Sequence, residues 1–205
     1  MLTCFTKSVT TFYDKKEFPL EKYLRPANRI ISASTKWLAL ISTIVFLIFS
    51  ATVLPDQSAK AEIYSADVGS PDLSLFYSPA DLYQMAEAYG QSGRQAYVRA
   101  RFTFDLAFPI VYGAFLLFTS AWALGQTTGE SDRKRVLVFI PLFAVLLDLL
   151  ENSSAAFVIS RYPQPSSIVA ALAPFFTLFK WIFVGSGFAL TFVLVIQLIW
   201  VRIKK

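Results

Sequence analysis

The chain of 205 residues contains no histidine and a single cysteine, Cys4. Without imidazole there is no haem bis-histidine ligation, no histidine-based di-iron centre and no Cys-His nucleophile; without a second thiol there is no internal disulfide, and no usual zinc set remains. Several large classes of membrane enzyme are excluded by these two absences. Charge is scarce as well: Asp, Glu, Lys and Arg make up 16% of the chain against 55% apolar residues, with 20 Phe, 9 Tyr and 4 Trp. The apolar residues gather in blocks instead of alternating with polar ones, as they would in a soluble domain.

Four blocks approach or exceed the roughly 20 residues that cross a bilayer core of about 30 Å. They run over 37–54, 102–124, 136–159 and 175–201, and only the first is free of charged residues. The expected fold is therefore all-α and polytopic: a cytoplasmic interfacial arm at 1–35, then a four-helix transmembrane domain at 36–205, with an extracytoplasmic loop and helix at 55–101 between the first two spans. Ala59-Lys60-Ala61 has the small-x-small form of a signal cleavage site. The long charged stretch before the first block and the length of that block instead predict a retained anchor.

Lys and Arg bias sets the expected orientation. Lys7, Lys15, Lys16, Lys22, Arg25, Arg29 and Lys36 precede the first span, Arg133 to Arg135 follow the second, and Arg202, Lys204 and Lys205 close the chain; the other side holds Lys60, Arg94, Arg99, Arg101 and Arg161. Both termini are expected in the cytoplasm of a multi-pass protein of the cell membrane. The net charge of +5 lies beside membrane segments, where it meets anionic headgroups, so membrane lipids and not nucleic acid are the expected partners.

Local signals fill in the connections. Phe12, Tyr13, Phe18, Tyr23 and Leu24 alternate with charges as in an interfacial anchor, and Pro26 suits the first position of a helix running on into the first span. The first half of 55–101, rich in Asp, Ser, Pro and Gly, reads as loop; Ser78-Pro79-Ala80-Asp81 then starts a helix with a Ser cap, which continues past a flexible Gly90-Gln91-Ser92-Gly93 to Arg101. Arg161-Tyr162-Pro163-Gln164-Pro165 stops the third span, and 168–173 reads either as a short interfacial helix or as the first turns of a long fourth span.

The informative residues are acids where lipid is expected. An ionisable group in the hydrocarbon core costs several kcal/mol by most estimates, so it normally faces a protein interior or a water-filled cavity. Asp148, Glu151, Asn152 and Ala155 fall three and four apart and share one helix stripe, extended by Pro141 and Ala144; Tyr97, Arg101 and Asp105 share another, with Tyr112 a heptad below Asp105. Lys180 leads a face with Phe183, Val184 and Gly187. If these faces meet, one Lys and one Arg oppose two Asp and one Glu, which leaves the balance to about one proton or one cation. Asp148 and Glu151 sharing a proton would suit acid–base work and make these two the candidate catalytic residues.

The expectation is an outward-facing intramembrane pocket of Arg101, Asp105, Tyr112, Asp148, Glu151, Asn152 and Lys180 that binds or handles a lipid or small amphipathic molecule, with no reaction type dictated. The competing reading makes the same side chains polar glue between helices, in an accessory or packing subunit with a membrane-protein partner. A proton or ion conductor is disfavoured, because Pro141–Leu147 and Ala189–Ile196 contain only Thr191 as a polar side chain. No cofactor or metal site is expected: a divalent cation would suit the oxygen ligands of Asp148-x-x-Glu151-Asn152, but that motif alone is thin. Ser153 and Ser154 are expected to bond back to their own helix, and Gly185-x-Gly187 to mark a close helix contact.

Overall fold

The computed structural model describes residues 20–65 and 68–204, and every regular element among them is helical. Seven α-helices follow in order: α1 Leu20–Ala33, α2 Lys36–Ser65, α3 Pro79–Ala88, α4 Gly90–Arg101, α5 Phe104–Thr127, α6 Ile140–Arg161 and α7 Ser167–Ile203. Short 3-10 segments at Pro71–Leu73 and Arg133–Phe139 complete the described elements. Four helical stretches, Lys36–Ser65, Gly90–Thr127, Arg133–Arg161 and Ser167–Ile203, are long and apolar enough to cross a membrane. This is the architecture of a multi-pass membrane protein. Cys4, Phe12, Tyr13 and Phe18 lie outside the described residues.

The bundle has a loop end, where 68–78 and the α6–α7 turn lie, and an opposite end built around α1 and the α5–α6 connection. At the opposite end Ala27 and Ile31 of α1 pack against Leu124 and Val138. Arg135, 6% exposed, fastens this packing by donating to Asn28 Oδ1 at 2.7 Å and to the Thr128 carbonyl at 3.1 Å. Pro26 lies inside α1 and does not start it, and α1 does not run on into the first span. The chain breaks at Ser34 and Thr35, where the Ser34 hydroxyl bonds the Ile30 carbonyl at 2.8 Å and Thr35 Oγ1 accepts the Leu38 N–H at 3.2 Å. Those two side chains satisfy backbone groups that a continuous helix would have used.

Two expectations near the loop end are corrected. The stretch after Leu54 is not loop, since α2 continues through Pro55 to Ser65. A single proline removes one backbone bond, while Ala59, Lys60, Ala61 and Glu62 favour helix and Lys60 pairs with Asp56 one turn back at 2.6 Å. The Gly90–Gly93 stretch is the first turn of α4: Gly90 takes φ +62° at the α3–α4 corner, and a Cβ on Gly93 would come within 3.0 Å of Tyr64 and Tyr89. Helix α4 is offset from α5 at Phe102 and Thr103, and the two together form the long stretch Gly90–Thr127 that contains the expected second span. In the fourth span Pro174 lies inside α7, so the longer alternative for 168–173 is the one found.

Where the caps were legible they form. Ser78 accepts the Asp81 N–H and Asp81 accepts the Ser78 N–H at 2.8 Å. These bonds from Ser78 hold the Asp81 carboxyl below its ordinary value. Ser153 and Ser154 bond back to the Leu149 and Leu150 carbonyls at 2.7 and 2.6 Å.

Helices α6 and α7 pack along their length, α5 touches both, and α2 leans mainly on α5. Of α2 only Ala39, Ser42 and Ser65 are buried, so most of its apolar surface faces outward. Gly187 meets Leu116, as the close-contact reading of that glycine requires, whereas Gly185 has nothing near it. At the loop end Tyr77, Leu82, Tyr89 and Tyr97 pack with Val158 and Ile159 in a core over the bundle mouth.

Candidate functional site

Beneath that core the charged residues of five segments converge. Arg101 ends α4 and Asp105 lies in the first turn of α5, four residues apart across the offset, with Arg101 Nε 3.1 Å from Asp105 Oδ2. Helix α6 brings Asn152 against both: Arg101 Nη1 reaches its Oδ1 at 3.3 Å, and its amide donates to the Asp105 carbonyl at 3.1 Å. The same amide donates to Asp148 Oδ1 at 2.8 Å, and the Tyr112 hydroxyl donates to Asp148 Oδ2 at 2.8 Å. Lys180 of α7 pairs with Glu151 of α6 at 3.1 Å. The faces expected to meet do meet.

Asp148 and Glu151 have different partners. Glu151 is 0% exposed and faces Lys180, while Asp148 is held by Tyr112 and Asn152 only. One oxygen of Glu151 and one of Asp105 are buried without a hydrogen-bond donor, the latter although Arg101 is near, because that pair is poorly aligned.

Asp72 is the member that sequence reasoning missed. From the 3-10 turn at Pro71–Leu73 its carboxylate lies 3.0 Å from Arg101 Nη1 and accepts a short bond from the Ser70 hydroxyl. Burial alone would raise its carboxyl; Arg101, Ser70 and Lys180 outweigh that and hold it below the usual aspartate value. The turn is tied down from α7 by Trp181, whose indole donates to the Ser74 carbonyl at 3.0 Å. A signal existed: Asp72 is the one charged residue in Val68–Tyr77.

A cavity of about 1410 Å³ opens on this cluster. Asp72, Arg101, Asp105, Asp148, Asn152 and Lys180 line its buried polar part, with Tyr64 and Tyr112, and the exposed Lys60, Glu62 and Arg99 also border it; Phe46, Leu54, Phe108, Val184 and Phe188 line its apolar part. Phe188 lies about two turns below Lys180 on α7, and its ring is 5.9 Å from that of Phe46 on α2, so the two helices approach beneath the cavity. Of the seven pocket residues expected from sequence, six line the cavity; Glu151 sits behind Lys180 and does not. Among the described residues no three His, Cys, Asp or Glu side chains group as a metal site would require.

Comparison with known proteins found no matching family model, curated protein or solved structure. The chemistry of the site is what speaks to function.

Proposed function

We propose that this is a multi-pass protein of the cell membrane whose cavity, open to the outer side, binds or handles a lipid or small amphipathic molecule. The carrying observation is the two-part wall of the cavity. A headgroup has charged partners at one part, an acyl or ring system has Phe and Val at the other, and a volume of about 1410 Å³ exceeds the roughly 300–1,000 Å³ of ordinary small-molecule sites. Support for the orientation comes from Arg25, Arg29, Lys36, Arg133, Lys134, Arg202 and Lys204 gathering at the end opposite the cavity mouth. On that reading 1–35 is the cytoplasmic interfacial arm, 36–205 the membrane domain and both termini are cytoplasmic. No reaction is assigned, because Asp148 and Glu151 do not face one common reacting atom.

The second reading, an accessory subunit of a membrane complex, is favoured by the bare apolar face of α2. One measurement separates the two: native mass spectrometry of the protein released from a mild detergent, beside the Asp148→Asn variant. A retained lipid or amphipath that disappears in the variant supports the cavity reading. A bare chain, or a chain that keeps only a protein partner, discards it for the subunit reading.

A further inference from the structure

We propose that the occupant of the cavity carries a positively charged amine or quaternary ammonium head, and that Asp148 is the carboxylate that pairs with it. The inference rests on the reading that the cavity holds an amphipath and adds the charge of its head.

The ion-pair pattern carries the argument. Lys180 is committed to Glu151, and Arg101 is shared between Asp72 and Asp105. Both cations of the cluster are therefore engaged, while four carboxylates belong to it. Asp148 has only neutral donors, Tyr112 and Asn152, and it forms part of the cavity wall. Asp105, also in the wall, is no rival for that role, since its Oδ2 already lies 3.1 Å from Arg101 Nε. A buried carboxylate with no cation beside it is costly. An ammonium supplies that cation.

Anionic heads fit poorly. Within the buried cluster a phosphate or sulfate would have to displace Asp72, Asp105 and Glu151 from cations they already hold, beside a carboxylate at Asp148, in a low-dielectric site where like charges repel strongly. The other cations of the wall, Lys60 and Arg99, are exposed, where water screens them, and Lys60 already pairs with Asp56. The aromatic surroundings also suit an ammonium: the Phe108 and Tyr112 rings meet edge to face at 5.5 Å next to Asp148, and ring faces attract quaternary ammonium groups.

The test uses the full chain in a neutral glucoside detergent and three probes that share a twelve-carbon tail: dodecyltrimethylammonium, dodecylphosphocholine and dodecyl sulfate. Native mass spectrometry gives the affinity of each for the wild type, Asp148→Asn and Asp148→Glu. Expected are tenfold or tighter binding of the ammonium over the sulfate in the wild type, loss of that preference in Asp148→Asn, and its retention in Asp148→Glu. Equal binding of all three heads, or a preference that survives Asp148→Asn, overturns the inference and leaves the amphipath cavity standing. Failure of every probe removes the amphipath reading itself. Tetramethylammonium without a tail is the fourth arm: Asp148-dependent binding as tight as the tailed probe keeps the ammonium head but assigns it to a free amine. Should Asp148→Asn not fold, the head ranking in the wild type decides alone.

Discussion

Arg101 Nη1 lies 3.0 Å from Asp72 Oδ1, which joins the turn at Pro71–Leu73 to the end of α4. The Arg101 side chain is 3% exposed and that of Asp72 22%, and both line the cavity. The Tyr97 ring 4.4 Å from the guanidinium backs the arrangement. A loop residue thus shares the guanidinium with Asp105 of α5 and Asn152 of α6.

Asp72→Asn should therefore loosen the fold at neutral pH by about 1.5–3 kcal/mol, the range for a hydrogen bond to a charged group, with Arg101 still holding Asp105. The pH dependence follows from the lowered carboxyl value. A group whose folded value lies below its unfolded one, near 3.9 for aspartate, stabilises fully above the unfolded value and loses that contribution as the pH falls through the folded one. The gap in melting temperature between wild type and variant should be flat from about pH 8 to 5 and shrink below about pH 4. A gap that widens on acidification, measured by thermal unfolding in detergent, contradicts the assignment.

The spans and the acid stripe were readable because both rest on short-range regularities. Block length marks a membrane helix, and the three-and-four spacing of Asp148, Glu151 and Asn152 fixes a shared face whatever the neighbours are. Depth and charge allowed Lys180 to meet the acid stripe but did not say that Glu151 is its partner. What escaped was set by tertiary contact: Asp72 belongs to the site only because Trp181 and Arg101 tie its turn to the bundle. The helix beyond Pro55 escaped because Asp, Ser and Pro were weighed as breakers, whereas the Asp56–Lys60 pair and the alanines beside it favour helix. Whether Glu151 faced the cavity or sat behind Lys180 depended on side-chain packing that spacing does not encode.

The Glu151–Lys180 pair is a packing device as much as an electrostatic one. It is nearly sealed, with side chains 0% and 6% exposed, and it joins α6 to α7. Removing one partner leaves an uncompensated charge, which costs about 3–5 kcal/mol in buried pairs. Lys180→Met alone and Glu151→Gln alone should each lower the melting temperature sharply. The double variant should recover a large part of the loss, because it leaves no bare charge. Additive losses in the double-mutant cycle would mean that the two side chains do not act as a pair.

The spacing between α5 and α6 sets the Tyr112–Asp148 bond at 2.8 Å, and Gly113, next to Tyr112, is a point of close approach between the two helices. A Cβ on Gly113 would overlap Val145 Cγ2. Valine in a helix has one strongly preferred χ1 rotamer, so it cannot swing aside, and the helices must separate. Overpacking of this kind costs about 1–3 kcal/mol, and Gly113→Ala in the wild type should show it in thermal unfolding. Val145→Ala removes the overlapping methyl groups at the modest cost of the valine itself. With that clash gone, what remains of Gly113→Ala is the helix preference for alanine over glycine, about 1 kcal/mol in favour of the variant. The same substitution should therefore destabilise the wild type and be neutral or stabilising in the Val145→Ala background. If Gly113→Ala is as damaging there as in the wild type, Val145 is not the contact that sets the helix spacing.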